Sequence, residues 1–86
     1  MIREKNIEKT IREFIAKEMS VDSADITLET NLIDDLNADS MAIVNVVTAI
    51  EAKYKITFPD ESKIKSNGYT LQFLIDGVVI ALQEKS

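Results

Sequence analysis

A segment without glycine or proline runs from Met41 to Tyr54, and it limits most of what this chain can become. It is preceded by Asp39-Ser40, whose side-chain oxygens can accept hydrogen bonds from the unpaired N–H groups of a first helical turn. The pair predicts a helix with Ser40 at its mouth. At helical spacing, Ile43, Val47, Ile50 and Tyr54 cluster on one side, flanked by Val46, in the i, i+4, i+7 pattern of a core-facing stripe. Met41, Val44 and Thr48, with Asn45 and Ala52 beside them, fall roughly opposite. A helix packed by its first face thus shows water a second, partly apolar face edged by Glu51, the kind of surface that receives partners.

The flanking segments are also helical or irregular. Ile7, Ile11, Phe14, Ile15 and Met19 recur at helical spacing among alternating charges, predicting an amphipathic helix over roughly residues 3–18 with a core stripe. From Val21 to Asn37 the chain mixes Asp, Ser, Thr and Asn with isolated Ile26, Leu28, Leu32, Ile33 and Leu36. It reads as a long loop pinned by those apolar residues, and loops longer than about 12–15 residues are often functional. After the Ser40 helix, Lys55 to Phe58 reads as a connector that buries Ile56 and Phe58, because no strand partner exists elsewhere. Pro59-Asp60-Glu61 opens a turn or short helix through about Lys65, with Ile64 inward, and Ser66-Asn67-Gly68-Tyr69 breaks it. Thr70 caps a last helix containing Leu71, Leu74, Ile75, Val78, Val79 and Leu82. Gly77 inside that helix costs about 1 kcal/mol relative to Ala and reads as a site of close packing, the alternative being room for a guest. The expected fold is all-α, a small bundle of three main helices plus one short helix, with residues 1–86 forming a single domain.

The residue inventory narrows the chemistry. The chain has no His and no Cys, so Ser-His and Cys-His pairs, disulfides and cysteine metal sites are excluded, and a self-contained catalyst is not expected. Asp35-x-Asn37-x-Asp39 resembles the start of a calcium loop, but the sixth position is Ser40 rather than Gly and the twelfth is Val46 rather than Glu. No metal site is expected. Net charge is −5, and residues 19–62 hold nine acidic and two basic groups, so the acidity surrounds Ser40. Such a surface repels nucleic acid and complements basic patches on proteins. The amino terminus is charged from Arg3 onward and no apolar run approaches the roughly 20 residues of a membrane span. The chain is expected to be a cytoplasmic monomer.

Asp35-Leu36-Asn37-Ala38-Asp39-Ser40-Met41, followed by Ile50-Glu51-Ala52-Lys53-Tyr54-Lys55-Ile56-Thr57-Phe58-Pro59-Asp60-Glu61, resembles the heart of an acyl carrier protein. That family's pattern runs Asp-Leu-Gly-Ala-Asp-Ser-Leu, then a helix ending in an acidic stretch and an aromatic residue, then an Ile-x-Ile-Pro-Asp-Glu type of turn. The resemblance reaches upstream to Val21, Ile26-Thr27 and Leu32 and downstream to Thr70-Leu71-Gln72 and Ile75-Asp76, nearly the whole chain. Asn37 stands where the family has glycine; asparagine also tolerates the left-handed conformation. The connector after Glu61 is about two residues longer than the usual pattern.

The resemblance implies that Ser40, beside Asp39, bears 4′-phosphopantetheine added from coenzyme A by a phosphopantetheinyl transferase, and that the terminal thiol holds acyl groups as thioesters. The partners implied are acyl-transfer or synthase enzymes with basic docking patches, in fatty-acid and lipid biosynthesis or a specialised acyl pathway. Docking is expected through Asp34, Asp35, Met41, Val44, Glu51, Asp60 and Glu61. An acyl chain could shelter among Ile33, Val47, Ile50, Ile64, Tyr69, Leu74 and Ile75, residues that serve equally as ordinary core. Positions where the family's docking face is usually acidic hold Ala42, Asn45, Thr48, Ala52 and Lys53, which points to a specialised carrier. The alternatives are an aminoacyl, peptidyl or polyketide carrier, and an unmodified acidic helical module that binds proteins through Met41 and Val44.

Overall fold

Three helices account for most of the chain in the computed structural model, which describes residues 4–65 and 68–85. They are α1 (Glu4–Met19), α2 (Ser40–Tyr54) and α3 (Leu71–Lys85), joined by irregular segments that contain one-turn 3₁₀ helices at Ser23–Asp25 and Glu61–Lys63. The bundle is all-α among the described residues, with no strand beyond an isolated bridge between Asn31 and Thr70. The short helix expected through Lys65 is a single turn ending at Lys63, and a second such turn follows Asp22. Each turn opens on an Asp whose carboxylate accepts a backbone N–H two residues on, from Ala24 to Asp22 and from Ser62 to Asp60.

α1 packs against both α2 and α3, whereas α2 and α3 meet over a smaller area. The stripe Ile7, Ile11 and Ile15 is buried, with Phe14 and Met19 packed against the same core. α1 stops where Ser20 turns left-handed, φ 56°, and Val21 N–H reaches back to Ala16 O. α2 ends the same way, with Lys55 at φ 56° and Ile56 N–H on Glu51 O. These closures satisfy terminal carbonyls, and each places a non-glycine residue where a Cβ costs about 1–2 kcal/mol.

On α2 the buried centre is Val46 and Ile50, while Ile43, Val47 and Tyr54 are half-buried at its edge. The expected stripe is therefore rotated toward Val46, because α1 is the helix against which α2 makes its larger contact. The long loop is stitched to the start of α3 by Leu32 N–H to Tyr69 O, Leu71 N–H to Thr30 O and Gln72 N–H to Leu28 O. Alternation along this extended piece turns Thr30 and Leu32 inward. Ile26 and Leu32 pin the loop as expected, but Leu28 and Ile33 are 39% and 45% exposed and do not.

α3 is capped as expected, Phe73 N–H donating to Thr70 Oγ1 at 3.1 Å. Leu71, Leu74, Ile75 and Val78 are buried, together with Phe73 and Ala81, whereas Val79 and Leu82 are only half-buried. Gly77 is a place of close approach: the Phe58 ring lies against it. Ile64 is buried, and Ile56 and Phe58 are half-buried against the core. Ser66 and Asn67, expected to break the chain before α3, lie outside the described residues; Gly68 beside them has φ 75°.

Candidate functional site

The turn before α2 aims Ser40 outward. Asn31 Oδ1 accepts from Ile33 N–H and Asp34 N–H, and Asp35 Oδ2 accepts from Asn31 N–H at 2.8 Å. Asn37 takes the left-handed conformation, φ 59°, and Ala38 tucks into the core with its N–H on Leu32 O. Asp39 is then the N-cap: its Oδ1 accepts from Ala42 N–H at 2.8 Å, and its carbonyl accepts from Ile43 N–H. Ser40 follows as the first residue of α2, exposed to solvent. Among the described residues no acceptor meets the backbone N–H of Ser40 or Met41. An exposed hydroxyl therefore stands beside two free amides at the positive end of a 15-residue helix. Of the carboxylates that resemble a calcium loop, those of Asp35 and Asp39 are each taken by a backbone N–H.

The second face of α2 is open as its pattern predicts. Met41 is 65% and Val44 56% exposed, and Asn45, Thr48 and Ala52 are exposed with them. Asp34, Asp35, Asp39, Asp60 and Glu61 are exposed as well. Asn45 Nδ2 donates to Glu18 Oε2 at 3.1 Å, linking this face to α1. Glu51, expected at the docking rim, is half-buried, and its Oε2 accepts from Phe58 N–H at 2.8 Å. Its carboxylate braces the connector against α2.

Where α2 and α3 part, the connector leaves an open groove of about 860 Å³. Ile43, Val44 and Val47 of α2 line it together with Phe58, Phe73 and Tyr69, and Thr48, Glu51, Asp60, Glu61 and Ser62 add polar groups. Tyr69 OH donates to Glu61 Oε1 at 2.8 Å, tying the connector to the lead-in of α3. That hydrogen bond, with some burial, raises the Tyr69 phenol above its ordinary pKa. The Ser62 backbone N–H and then its hydroxyl hold the Asp60 carboxyl below the ordinary value. Of the residues expected to shelter a chain, Val47 and Tyr69 line the groove; Ile50, Ile64, Leu74 and Ile75 are closed inside the core, and Ile33 faces water. These four interior residues are 0–7% exposed and covered by protein. Ile43, Phe58 and Phe73 line the groove as well. Phe73 lies off the stripe of α3 expected from the sequence and is nonetheless buried.

Residues 9–64 match the family model described as "Phosphopantetheine attachment site". An acyl carrier protein of Clostridium acetobutylicum is 35% identical over 66 residues, an alignment that covers 74% of this chain and 86% of that protein. The chain belongs to the acyl carrier protein family. Its members carry a covalently attached 4′-phosphopantetheine and act as carriers rather than catalysts, serving synthases and transferases. The matched segment contains the Asp39-Ser40 turn, all of α2 and the connector through Ile64. The residues present fit the group: a phosphodiester needs an accessible hydroxyl and tolerates best a helix N-terminus with unpaired amides, and Ser40 has both. No helix among the described residues is long and apolar enough to cross a membrane.

Proposed function

We propose that residues 1–86 act as one carrier domain that bears its phosphopantetheine on Ser40. The observation that carries this reading is the exposed Ser40 hydroxyl at the capped start of α2, beside the free amides of Ser40 and Met41. A transferase would bring coenzyme A to Ser40 Oγ; the oxygen displaces the adenosine bisphosphate portion, loses its proton and becomes part of a phosphodiester. The first-turn amides and the helix dipole then face the new negative charge. The arm supplies a thiol that holds acyl groups as thioesters. Asp39 keeps the first turn formed, and Ala38 anchors the loop so that Ser40 stays at the surface.

Partners are acyl-transfer or synthase enzymes whose basic patches dock on Met41 and Val44, with Asp34, Asp35, Asp60 and Glu61 around them. Rim charges set the encounter rate and the buried apolar anchors set residence time. We assign the carrier to a specialised acyl pathway in the cytoplasm, because Ala42, Asn45, Thr48, Ala52 and Lys53 leave the docking face of α2 short of acidic groups, and Asn45 is tied to Glu18. Peptide mapping after treatment with coenzyme A, magnesium and a transferase tests the attachment: fragmentation should assign the added group to Ser40 within residues 18–53. Assignment to another Ser or Thr sinks the reading. Turnover of the loaded carrier by general fatty-acid elongation enzymes tests the pathway, and efficient turnover contradicts the specialised assignment.

A further inference from the structure

Glu18 on α1 and Asn45 on α2, 27 positions apart, are joined at the surface: Asn45 Nδ2 donates to Glu18 Oε2 at 3.1 Å, and both residues are exposed. A carboxylate offers about four acceptor sites, so the amide occupies one and leaves the negative charge in place. Asn45 lies one turn beyond Met41 and next to Val44, which brings Glu18 to the α1 edge of that exposed apolar pair. Along the other edge, Val44 and Thr48 share the groove with Asp60 and Glu61. Between these edges α2 contributes no charge, having no ionised side chain from Ser40 to Ile50. The acids that flank Met41 and Val44 are thus supplied by neighbouring elements.

We propose that the docking surface of this carrier extends onto α1, where Glu18, positioned by Asn45, meets an Arg or Lys of the enzymes that load and unload it. The inference rests on the carrier reading and on docking at Met41 and Val44, and it adds a demand on the partner. Acids along both edges of α2 require basic groups on both sides of an apolar site, whereas a partner that reads one edge needs them on one side only. Glu18 is the docking group and Asn45 its positioning residue. A free glutamate loses rotamer freedom when a partner captures it, and the bond to Asn45 has already removed part of that freedom.

Glu18→Gln separates docking from a mere tie between helices, because Gln Oε1 still accepts from Asn45 while the charge is gone. Initial rates of phosphopantetheine transfer by a broad-specificity transferase, at saturating coenzyme A and varied unmodified carrier, give kcat and KM at about 0.05 M and about 0.5 M salt. At low salt Glu18→Gln should raise KM about two- to fivefold, the range for one exposed ion pair, with kcat and the melting temperature unchanged. High salt should erase the difference. Asn45→Ala, which keeps the charge but releases it, should raise KM by a smaller factor. Glu18→Gln combined with Asn45→Asp moves the charge from α1 to α2 on the same edge and should bring KM back toward the wild type. Glu13→Gln removes a charge from an exposed position of α1 about 140° around the helix and should leave KM unchanged. A Glu18→Gln carrier with the wild-type KM at low salt, an equal rise in Glu13→Gln, an Asn45→Ala carrier with the wild-type KM, or a double variant no better than Glu18→Gln alone overturns the proposal while the carrier reading stands. A wild type that gains no arm on Ser40 overturns both.

Discussion

Removing the Asp39 carboxylate should unlock the first turn of α2, and its two components can be separated. In Asp39→Ala the Ala42 N–H loses its acceptor at 2.8 Å, which costs about 1 kcal/mol for a helix cap of this kind. The negative charge beside the positive end of the helix contributes about 0.3–1 kcal/mol more at low salt. The sum, about 1.5 kcal/mol, corresponds to a fall in Tm of roughly 6–12 °C for a domain of 60–100 residues. Asp39→Asn keeps an oxygen in the acceptor position and loses the charge alone, so it should fall by only about a third as much, and salt should erase most of that smaller loss. Thermal unfolding followed by far-UV circular dichroism, at low and high salt, measures all three proteins. An Ala variant that melts with the wild type, or an Asn variant as unstable as Ala, would refute the capping account and with it the claim that Asp39 holds the geometry around Ser40.

Two further outcomes follow from local geometry. Lys55 closes α2 at φ 56°, so Lys55→Gly should stabilise the protein by about 0.5–1 kcal/mol in denaturant unfolding, the relief of the left-handed strain less the added freedom of the unfolded chain; a loss of stability would mean that the Lys55 side chain does more than tolerate the turn. The Tyr69 phenol is raised by its bond to Glu61, and a raised folded pKa means that the bond's contribution is present below a phenol's ordinary value of about 10 and disappears as pH climbs through the raised one. Phenolate absorbance, with Tyr69→Phe subtracted to remove Tyr54, should show Tyr69 titrating at lower pH in Glu61→Gln, and an unchanged midpoint would contradict the hydrogen bond as its cause.

Much of this architecture is legible in the residues because short-range chemistry dictates it. The α1 stripe, the Asp39 cap, the Thr70 cap and the open face at Met41 and Val44 follow from side-chain spacing and from what a helix end needs. What could not be read was set by contacts between distant segments. Leu28 and Ile33 look like loop anchors in the sequence, yet pairing of Thr30 and Leu32 with the start of α3 turns Ile33 outward. The α2 stripe lacks a sharp centre, with apolar residues at 43, 44, 46, 47 and 50, so only the partner helix decides that Val46 is its middle. Ile50, Ile64, Leu74 and Ile75 have the pattern of interior residues and are interior, while the groove is lined in part by Phe58 and Phe73, which meet only in three dimensions. Glu51 shows the same for charges, since the sequence gives no sign that its carboxylate accepts the Phe58 N–H.

Intact-protein mass tests most directly whether Ser40 carries the arm. Wild type and Ser40→Ala are incubated with coenzyme A, magnesium and a broad-specificity phosphopantetheinyl transferase, after circular dichroism has shown that both are folded. The wild type should gain the mass of one phosphopantetheine and the variant none. A folded wild type that gains nothing, or a Ser40→Ala protein that gains the same mass, would contradict the assignment of the carrier site to Ser40.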